Sequence, residues 1–388
     1  MNLQAYYGIY YMMGFVLHVQ EMDGLLVAAV PGVPAGYEII LTPQSNDTFV
    51  MHGGPLDNAP LTFTRNPAGE ITGATVAHFD FTKISSEKAA TLPISERYPG
   101  PDFTLTPEKE TAFQHLLDTI TTAPTGAWIP YDLPYPKHEF IQYLMARDLF
   151  IFHGSNKQDI ETFVPIRTSV ELYDKRGIGN LPAIYGTHDG LWAMFFAIVN
   201  RGQLRGSIRN GVTYFHNRTG AQLPIYNFSI NQEQLPEKPW TEGALYFFPR
   251  EKFERQRFTE TNYANEWACT EAIPPLAKLH LHPEDFPFLE QIGGHDDSAL
   301  EKAGKLSHAV RQITLTATLN GDQFTLTVPH TPENLQLLTE FQEVQQTFIP
   351  AATISITPAE TSLLFTVQNL PPAYQHVYAE TYKDLLSA

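Results

Sequence analysis

The chain has 388 residues, enough for about two to four domains of ordinary size. Hydrophobic residues make up 43% of the chain and charged residues 17%. This balance excludes a disordered chain and a coiled coil, and it favours a globular protein rich in strands and loops. The 42 acidic and 25 basic residues leave a net charge of −17, which argues against a partner such as duplex DNA, because a DNA-binding surface is usually basic.

The cysteine content and the first 23 residues indicate the cellular compartment in which the protein is expected. The single cysteine, Cys269, excludes an internal disulfide framework and any metal cluster built on cysteines, and it fits a reducing compartment. Residues 1–23 are apolar and aromatic, but they carry no Lys or Arg for a signal peptide, and their apolar run is too short to cross a membrane. We therefore expect a cytoplasmic protein without a membrane partner.

The predicted elements begin with a β-rich module in residues 1–92. Short apolar runs such as GLLVAAV, DTFVMH and LTFTR are separated by turn signals such as MDG, PQSND and NPAGE. Strands at this spacing are typical of an antiparallel meander or a small barrel. The sequence therefore predicts an all-β accessory module here.

Residues 93–148 predict a proline-rich helical connector. The segment PEKETAFQHLLDTITT indicates a helix from Pro107 to Thr122, because proline is favoured in the first turn of a helix and Ala-Pro follows the end. A second helical pattern follows it. The apolar side chains expected on one face of that helix are Phe140, Tyr143, Leu144 and Leu149.

The remaining chain divides into a central domain, a linker and a C-terminal module. In residues 149–292, LFIFHGS, AIYGT, PIYNFSI and GALYFFPREKF predict strands, and GLWAMFFAIVNR predicts an apolar helix. The stretch 202–224, rich in Gly, Asn and Arg, predicts a mobile loop, and 293–308 predicts a polar linker. Residues 309–388 predict a small α+β module that opens with a hairpin, since Asn320-Gly321 is a signal for a type I′ turn.

Most familiar catalytic signatures are absent, among them GxGxxG, the P-loop, GxSxG and HExxH. One ordered pair of motifs remains. FIFHGSN ends a predicted strand with His153, Gly154 and Ser155, and farther along AIYGTHDGLWAMFFAIVNR places Tyr185 on a strand before an apolar helix. This order resembles the ADP-ribosyltransferase superfamily, and within it the poly-ADP-ribose polymerase-like branch, which is marked by a His-Tyr-Glu triad.

The resemblance implies an α+β fold. A central split β-sheet domain over 149–292 would be flanked by the N-terminal all-β module and the small C-terminal α+β module. It also implies that NAD binds between the His153 turn and the Tyr185 strand. The third triad member would be a Glu on a later strand, and NEWACTEAIPPLAKL offers Glu266 and Glu271. We prefer Glu266, because EWA before a Pro-flanked strand looks more like the family motif.

The chemistry of NAD cleavage needs these residue types. Breaking the nicotinamide–ribose bond develops positive charge on the sugar, and a carboxylate such as Glu266 stabilises that charge selectively. The ring of Tyr185 can stack on nicotinamide. His153 can donate to a ribose hydroxyl, while the backbone at Gly154 and the hydroxyl of Ser155 can bond the carboxamide.

Two other groups of residues suggest alternatives. His280 and His282 share one strand face and could chelate a metal ion; the possible further ligands are Glu284, Asp285, His295, Asp296 and Asp297. The sequence supplies no firm third ligand, so we predict no metal. The basic residues Arg201, Arg205 and Arg209 could hold the NAD pyrophosphate or a short single-stranded RNA.

We therefore expect an enzyme, an NAD-dependent ADP-ribosyltransferase with NAD as its substrate. Its acceptor would be a protein or a short single-stranded RNA, and a bacterial toxin or defence effector would fit this pattern. A non-catalytic module that binds NAD, ADP-ribose or a protein is a second hypothesis. A third is an RNA 2′-phosphotransferase on the same fold, which would use the arginine cluster to hold phosphate.

Overall fold

The computed structural model describes residues 2–12, 14–77, 79–92, 96–166, 170–172, 174, 179–257, 259–260 and 262–386. The chain forms two compact units, each built from several segments. Unit 1 comprises Met1–Thr162, Tyr185–Ala268 and Pro274–Asp296, and unit 2 comprises Phe163–Ile184, Cys269–Ile273 and Asp297–Ala388. The β-module, the connector and most of the central region therefore belong to one unit.

Unit 1 begins with a closed antiparallel barrel. Its strands are β1 (Gly8–Met12), β2 (Phe15–Met22), β3 (Leu25–Ala29), β4 (Ile39–Ser45), β5 (Thr48–His52), β6 (Pro60–Arg65), β7 (Ile71–Val76) and β8 (Phe79–Ile84). Consecutive strands pair, and β1 pairs with β8 to close the barrel. Asp23 and Gly24 connect β2 to β3 with φ of 53° and 75°, as a two-residue type I′ turn requires. The predicted β-module is confirmed as a barrel.

A short helix, α1 (Ser86–Ala89), follows β8 at the end of the N-terminal module, and the connector then contains two short strands and two helices of ordinary length. They are β9 (Tyr98–Pro99), α2 (Pro107–Thr122), β10 (Ala127–Trp128) and α3 (Lys137–Met145). The predicted bounds of α2 are confirmed, and the Thr106 side chain caps it by accepting from the Lys109 backbone N–H at 3.3 Å. Leu149 does not lie on α3 as expected. It follows the helix end, beyond Asp148 with its left-handed φ of 52°, and it is 49% exposed.

The central region of unit 1 builds a seven-stranded sheet and a smaller one. The elements are β11 (Phe150–Ser155), β12 (Ile184–Thr187), α4 (Gly190–Ile198), β13 (Ile208–His216), β14 (Gln222–Asn231), β15 (Gly243–Pro249), β16 (Glu254–Arg257), β17 (Tyr263–Cys269), β18 (Ala277–Leu281) and β19 (Gly293–His295). The large sheet has the order β10-β18-β15-β11-β12-β17-β16. Helices α2, α3 and α4 share one apolar core with it, which includes the fully buried Phe113, Phe140 and Phe195.

The predicted mobile loop at 202–224 is wrong for most of its length. Residues from Ile208 onward form the β13–β14 hairpin, which pairs in register from Ile208↔Ile230 to His216↔Gln222. Val212 and Phe215 are the buried residues of β13. They are three positions apart and so lie on opposite faces of the strand, where Val212 packs in the core of the central region and Phe215 in the core of the barrel. Burial on both faces makes the segment a hairpin despite its loop-like content of Gly, Asn and Arg.

Unit 2 is built on a four-stranded sheet. Its elements are α5 (Ser298–Ile313), β20 (Thr316–Asn320), β21 (Gln323–Pro329), α6 (Pro332–Phe348), β22 (Thr353–Pro358), β23 (Ser362–Gln368) and α7 (Pro372–Thr381), and its sheet order is β20-β21-β23-β22. The sequence therefore predicted an α+β module correctly. The hairpin turn lies one residue later than expected, because Asn320 pairs with Gln323 and Gly321 is the first turn residue, with φ of 61°.

The predicted linker at 293–308 is also wrong. Gly293–His295 is strand β19, which pairs in parallel with β14, and Ser298 begins the long helix α5. Ala303 and Val310 are the buried residues of α5. One narrow apolar stripe of this otherwise polar helix therefore packs on the core of unit 2. None of the helices in the described ranges combines the length and apolar character needed to cross a membrane.

Candidate functional site

The first predicted site residue, His153, lies near the end of β11 and contacts β12. Its Nδ1 is 2.7 Å from the main-chain oxygen of Tyr185. A carbonyl oxygen only accepts, so Nδ1 carries the proton and donates this bond. Burial lowers the pKa of His153 below its ordinary value, although the bond to Tyr185 acts in the opposite direction. The ring is therefore neutral at pH 7, with Nε2 as the nitrogen that accepts.

Gly154 and Ser155 complete the strand end. A Cβ on Gly154 would lie 1.9 Å from the carbonyl oxygen of Ala193 and 2.8 Å from the nitrogen of Ala197, so helix α4 packs directly on the glycine backbone. This packing requires glycine whether or not a ligand approaches. The Ser155 hydroxyl accepts from the Lys157 backbone N–H at 3.1 Å, which orders the turn that follows the strand.

Strand β11 is paired unequally with its two neighbours. With β15 it is in register at six positions, from Phe150↔Pro249 to Ser155↔Ala244. With β12 its register is the single pair Phe152↔Thr187. The side-chain bond from His153 to Tyr185 therefore joins the two strands just beyond their ladder.

Glu266 lies in the middle of β17, the strand that neighbours β12 in the sheet. The structure thus brings the strands of His153, Tyr185 and Glu266 together in the order β11-β12-β17. Glu271 lies past the end of β17, where its main-chain oxygen is 3.4 Å from the Sγ of the buried Cys269. Between the two candidates, only Glu266 lies on a strand of this sheet.

The opposite side chains of β17 line a cavity of about 500 Å³ in unit 1. Its lining combines cations, aromatic rings and amides; the members from the central region include His188, Tyr214, Arg250, Arg255, Asn262, Tyr263, Asn265 and Trp267. Because strand side chains alternate, Glu266 points away from the cavity that Asn265 and Trp267 face. The sequence did not indicate this cavity.

A buried polar cluster supports one wall of that cavity. Asp189, with no exposed surface, caps α4 by accepting from the Trp192 N–H at 2.9 Å. Its other oxygen accepts from the hydroxyls of Tyr214 at 2.5 Å and Tyr226 at 2.8 Å. Burial raises the pKa of Asp189, and burial beside this carboxylate raises the pKa of both tyrosines well above the ordinary value. The aspartate before an apolar helix was the sequence signal for this cap.

His188 joins the buried cluster to the cavity. Its ring stacks on Tyr214 with centroids 5.6 Å apart, and its Nδ1 accepts from the indole N–H of Trp267 at 3.4 Å. Burial, and secondarily the charge of Arg255, lower the pKa of His188 to about 4. His188 is therefore a neutral, hydrogen-bond-accepting wall residue at pH 7.

The residues predicted as possible metal ligands separate into three places. Asp285 bonds Lys137 at 2.8 Å, and the buried His295 lies between the hydroxyls of Ser207 and Ser229 at 2.9 and 2.8 Å. These two residues, which the sequence offered as possible further ligands, do not join the histidine pair, because each is held by its own partners. His280 and His282 instead lie beside Glu242, a residue that the sequence did not suggest.

The arginine cluster does not form a common anion site. Arg205 pairs with Glu237 at 2.7 Å, and Arg209 donates to the main-chain oxygen of Asp296 at 3.0 Å. Arg201 is exposed. Two of the three guanidinium groups thus bind the protein's own oxygens.

Comparison with protein-family models, with curated proteins and with solved structures finds no match to this chain.

Proposed function

We propose that this protein is an ADP-ribosyltransferase that cleaves NAD between nicotinamide and ribose. One observation carries the proposal. His153, Tyr185 and Glu266, far apart in the chain and selected from motifs alone, lie on the three neighbouring strands β11, β12 and β17.

The faces of these strands support a shared role for His153 and Glu266. Gly154 faces α4, so its neighbour His153 projects from the other side of the sheet. The cavity lies on the α4 side, because its wall residue Tyr214 bonds the α4 cap Asp189. Glu266 projects away from that cavity and hence from the same side as His153. A ribose on this face would meet both side chains.

The roles follow from the chemistry of each group. The carboxylate of Glu266 accepts a ribose hydroxyl and faces the positive charge that develops as nicotinamide leaves. The Nδ1 proton of His153 is used by Tyr185, so the ring accepts a ribose hydroxyl at Nε2, where the sequence suggested that it donates. Tyr185 shares the face of Thr187, which pairs with Phe152, so its ring projects on the α4 side and not beside His153 and Glu266. Its part in the proposed site is its main-chain oxygen, which accepts from Nδ1 of His153 and orients that ring. The transferred ADP-ribose passes to a protein or short RNA acceptor.

Nicotinamide release from NAD tests the proposal. The full chain is incubated with NAD, and free nicotinamide is measured for the wild type, Glu266→Gln and Glu271→Gln. We expect Glu266→Gln to lower release about a hundredfold or more, because the amide cannot neutralise the oxocarbenium. Glu271→Gln, the matched control outside the sheet, should retain release.

Two results would overturn the assignment. The first is wild-type release in Glu266→Gln. The second is a wild-type chain that neither releases nicotinamide nor binds NAD by calorimetry, which would favour an interaction module instead. The 2′-phosphotransferase alternative is weakened by the internal partners of Arg205 and Arg209.

A further inference from the structure

The half-exposed cluster of Glu242, His280 and His282 lies where β15 begins and β18 ends, apart from the residues proposed to act on NAD. Glu242 directly precedes β15, His280 is on β18, and His282 directly follows β18. The Nε2 of His280 is 3.2 Å from one Glu242 carboxylate oxygen, and the Nδ1 of His282 is 3.2 Å from the other. One potential ligand atom from each residue lies within 4.8 Å of the other two.

The strand register explains why these three side chains meet. In the β15–β18 pair, Ala244 is opposite His280 and Gly243 is opposite Leu281. Continuing this register puts Glu242 opposite His282, on the same face as His280. The imidazole centroids are 4.6 Å apart.

We propose that Glu242, His280 and His282 bind a divalent transition-metal ion of the Zn²⁺ class. Two imidazoles and one carboxylate are a donor set that Zn²⁺ accepts, with a fourth position left for water. Ligand atoms about 2.0–2.1 Å from a tetrahedral ion are separated by about 3.3 Å. Each imidazole nitrogen is 3.2 Å from a different Glu242 oxygen, which is close to that value, and a set with one ligand atom from each residue lies within 4.8 Å.

The charges around the cluster are compatible with a cation. Lys278, two residues before His280 on the same face, is held by the Gln158 main-chain oxygen at 2.7 Å and lies 4.4 Å from the centre of the Trp128 ring. Asp285 is paired with Lys137 at 2.8 Å, so it does not compete for the ion. Glu242 thus supplies the negative charge of the donor set.

Trp128 provides a built-in reporter. Its indole meets the His280 ring edge-on with centroids 5.9 Å apart, and the residue is 42% exposed. A paramagnetic Co²⁺ ion at the cluster would quench its fluorescence.

Calorimetry with the tag-free full chain tests the proposal. After chelator treatment, the wild type is titrated with Zn²⁺ alone and should bind one ion per chain. Replacing either histidine (His280→Ala or His282→Ala) should weaken binding at least about tenfold, and Glu242→Gln should do the same. His308→Ala removes an exposed imidazole on α5 and should leave the affinity unchanged.

A second measurement locates the ion. Co²⁺ should quench the emission of the wild type, and Trp128→Phe should lose this quenching but keep the Zn²⁺ stoichiometry. Circular dichroism and melting without metal should be unchanged in the isosteric Glu242→Gln. The proposal is overturned if the wild type shows no saturable Zn²⁺ binding. It is equally overturned if His280→Ala/His282→Ala binds one ion as tightly as the wild type, which would indicate an adventitious site elsewhere.

Discussion

Unit 1 contains two polar clusters that use similar side chains in different environments. Asp189 with Tyr214 and Tyr226 is buried around one carboxylate, and each tyrosine hydroxyl donates to the same oxygen. Glu242 with His280 and His282 is half-exposed, with side chains 54%, 35% and 47% accessible. Burial makes the first cluster a structural support for α4, whereas accessibility leaves the second able to exchange partners.

The surroundings of each carboxylate decide its role. The Asp189 carboxylate is satisfied by three internal donors, so water and ions cannot compete for it. The Glu242 carboxylate is bonded by two groups that can also serve as metal ligands.

Asp189→Ala should be the most damaging change. It leaves two buried hydroxyls and the first turn of α4 without their acceptor, which costs about 3 kcal/mol or more of the free energy of unfolding. Urea denaturation followed by circular dichroism measures this. Asp189→Asn keeps one oxygen for the cap and should lose less. Equal stability of Asp189→Ala and the wild type would contradict a structural role for the cluster.

Acid should destabilise unit 1 through His188. Its pKa falls to about 4 in the folded chain, below the ordinary value of about 6.5, so the unfolded state binds the proton more tightly. The neutral His188 ring makes its full contribution to stability above pH ~6.5. This contribution is lost as the pH falls towards 4, and the free energy of unfolding drops by about 2 kcal/mol, a figure discounted for partial exposure. His188→Gln should flatten this pH dependence.

The His188 experiment needs Asp189 kept in place, because the two groups act in opposite directions. The raised pKa of Asp189 gives stability that is present below about pH 4 and lost as the pH rises through the folded pKa. Subtracting the free energy of unfolding of His188→Gln from that of the wild type at each pH removes the contribution of Asp189, which is the same in both proteins. A difference that does not vary between pH 4 and 7 would contradict the assignment to His188.

Tyr214→Phe should cost about 1–2 kcal/mol, less than Asp189→Ala, because Tyr226 still donates to the carboxylate. Thermal melting together with urea denaturation measures the loss. The matched control is Tyr263→Phe, because Tyr263 lines the same cavity but its ring is exposed. We expect this change to cause no measurable loss of stability. A larger effect from the control than from Tyr214→Phe would reverse the ranking.

Glu242→Gln should have the smallest effect, within about 0.5 kcal/mol in the absence of metal, because exposed ion pairs contribute little to stability. Equilibrium unfolding in a chelating buffer measures it. Addition of Zn²⁺ should then raise the wild-type stability and leave the variant nearly unchanged. A loss as large as that of Asp189→Ala would show that the two clusters are alike.

Local signals were sufficient where neighbouring residues decide the structure. Thr106 and Pro107 indicate the start of α2, because one caps the helix and the other is favoured in its first turn. The Asp23-Gly24 turn of the barrel is likewise local, because both residues tolerate the positive φ that it requires. The same local reasoning failed at 202–224 and 293–308. There, polar and glycine-rich composition suggested loops, but burial of Val212 and Phe215 on the two faces of β13 and of one stripe in α5 made them a hairpin and a helix.

The element types in the barrel, α2 and the C-terminal module could be predicted from the sequence, which also singled out His153, Tyr185 and Glu266. Which strands are neighbours became clear only from the fold. The placement of β17 beside β12, and of Glu242 beside His282, depends on strand pairing between distant segments. Such pairing is set by the whole core and its register rather than by local propensity, and for that reason Glu242 and the Asp189 cluster became visible only in three dimensions.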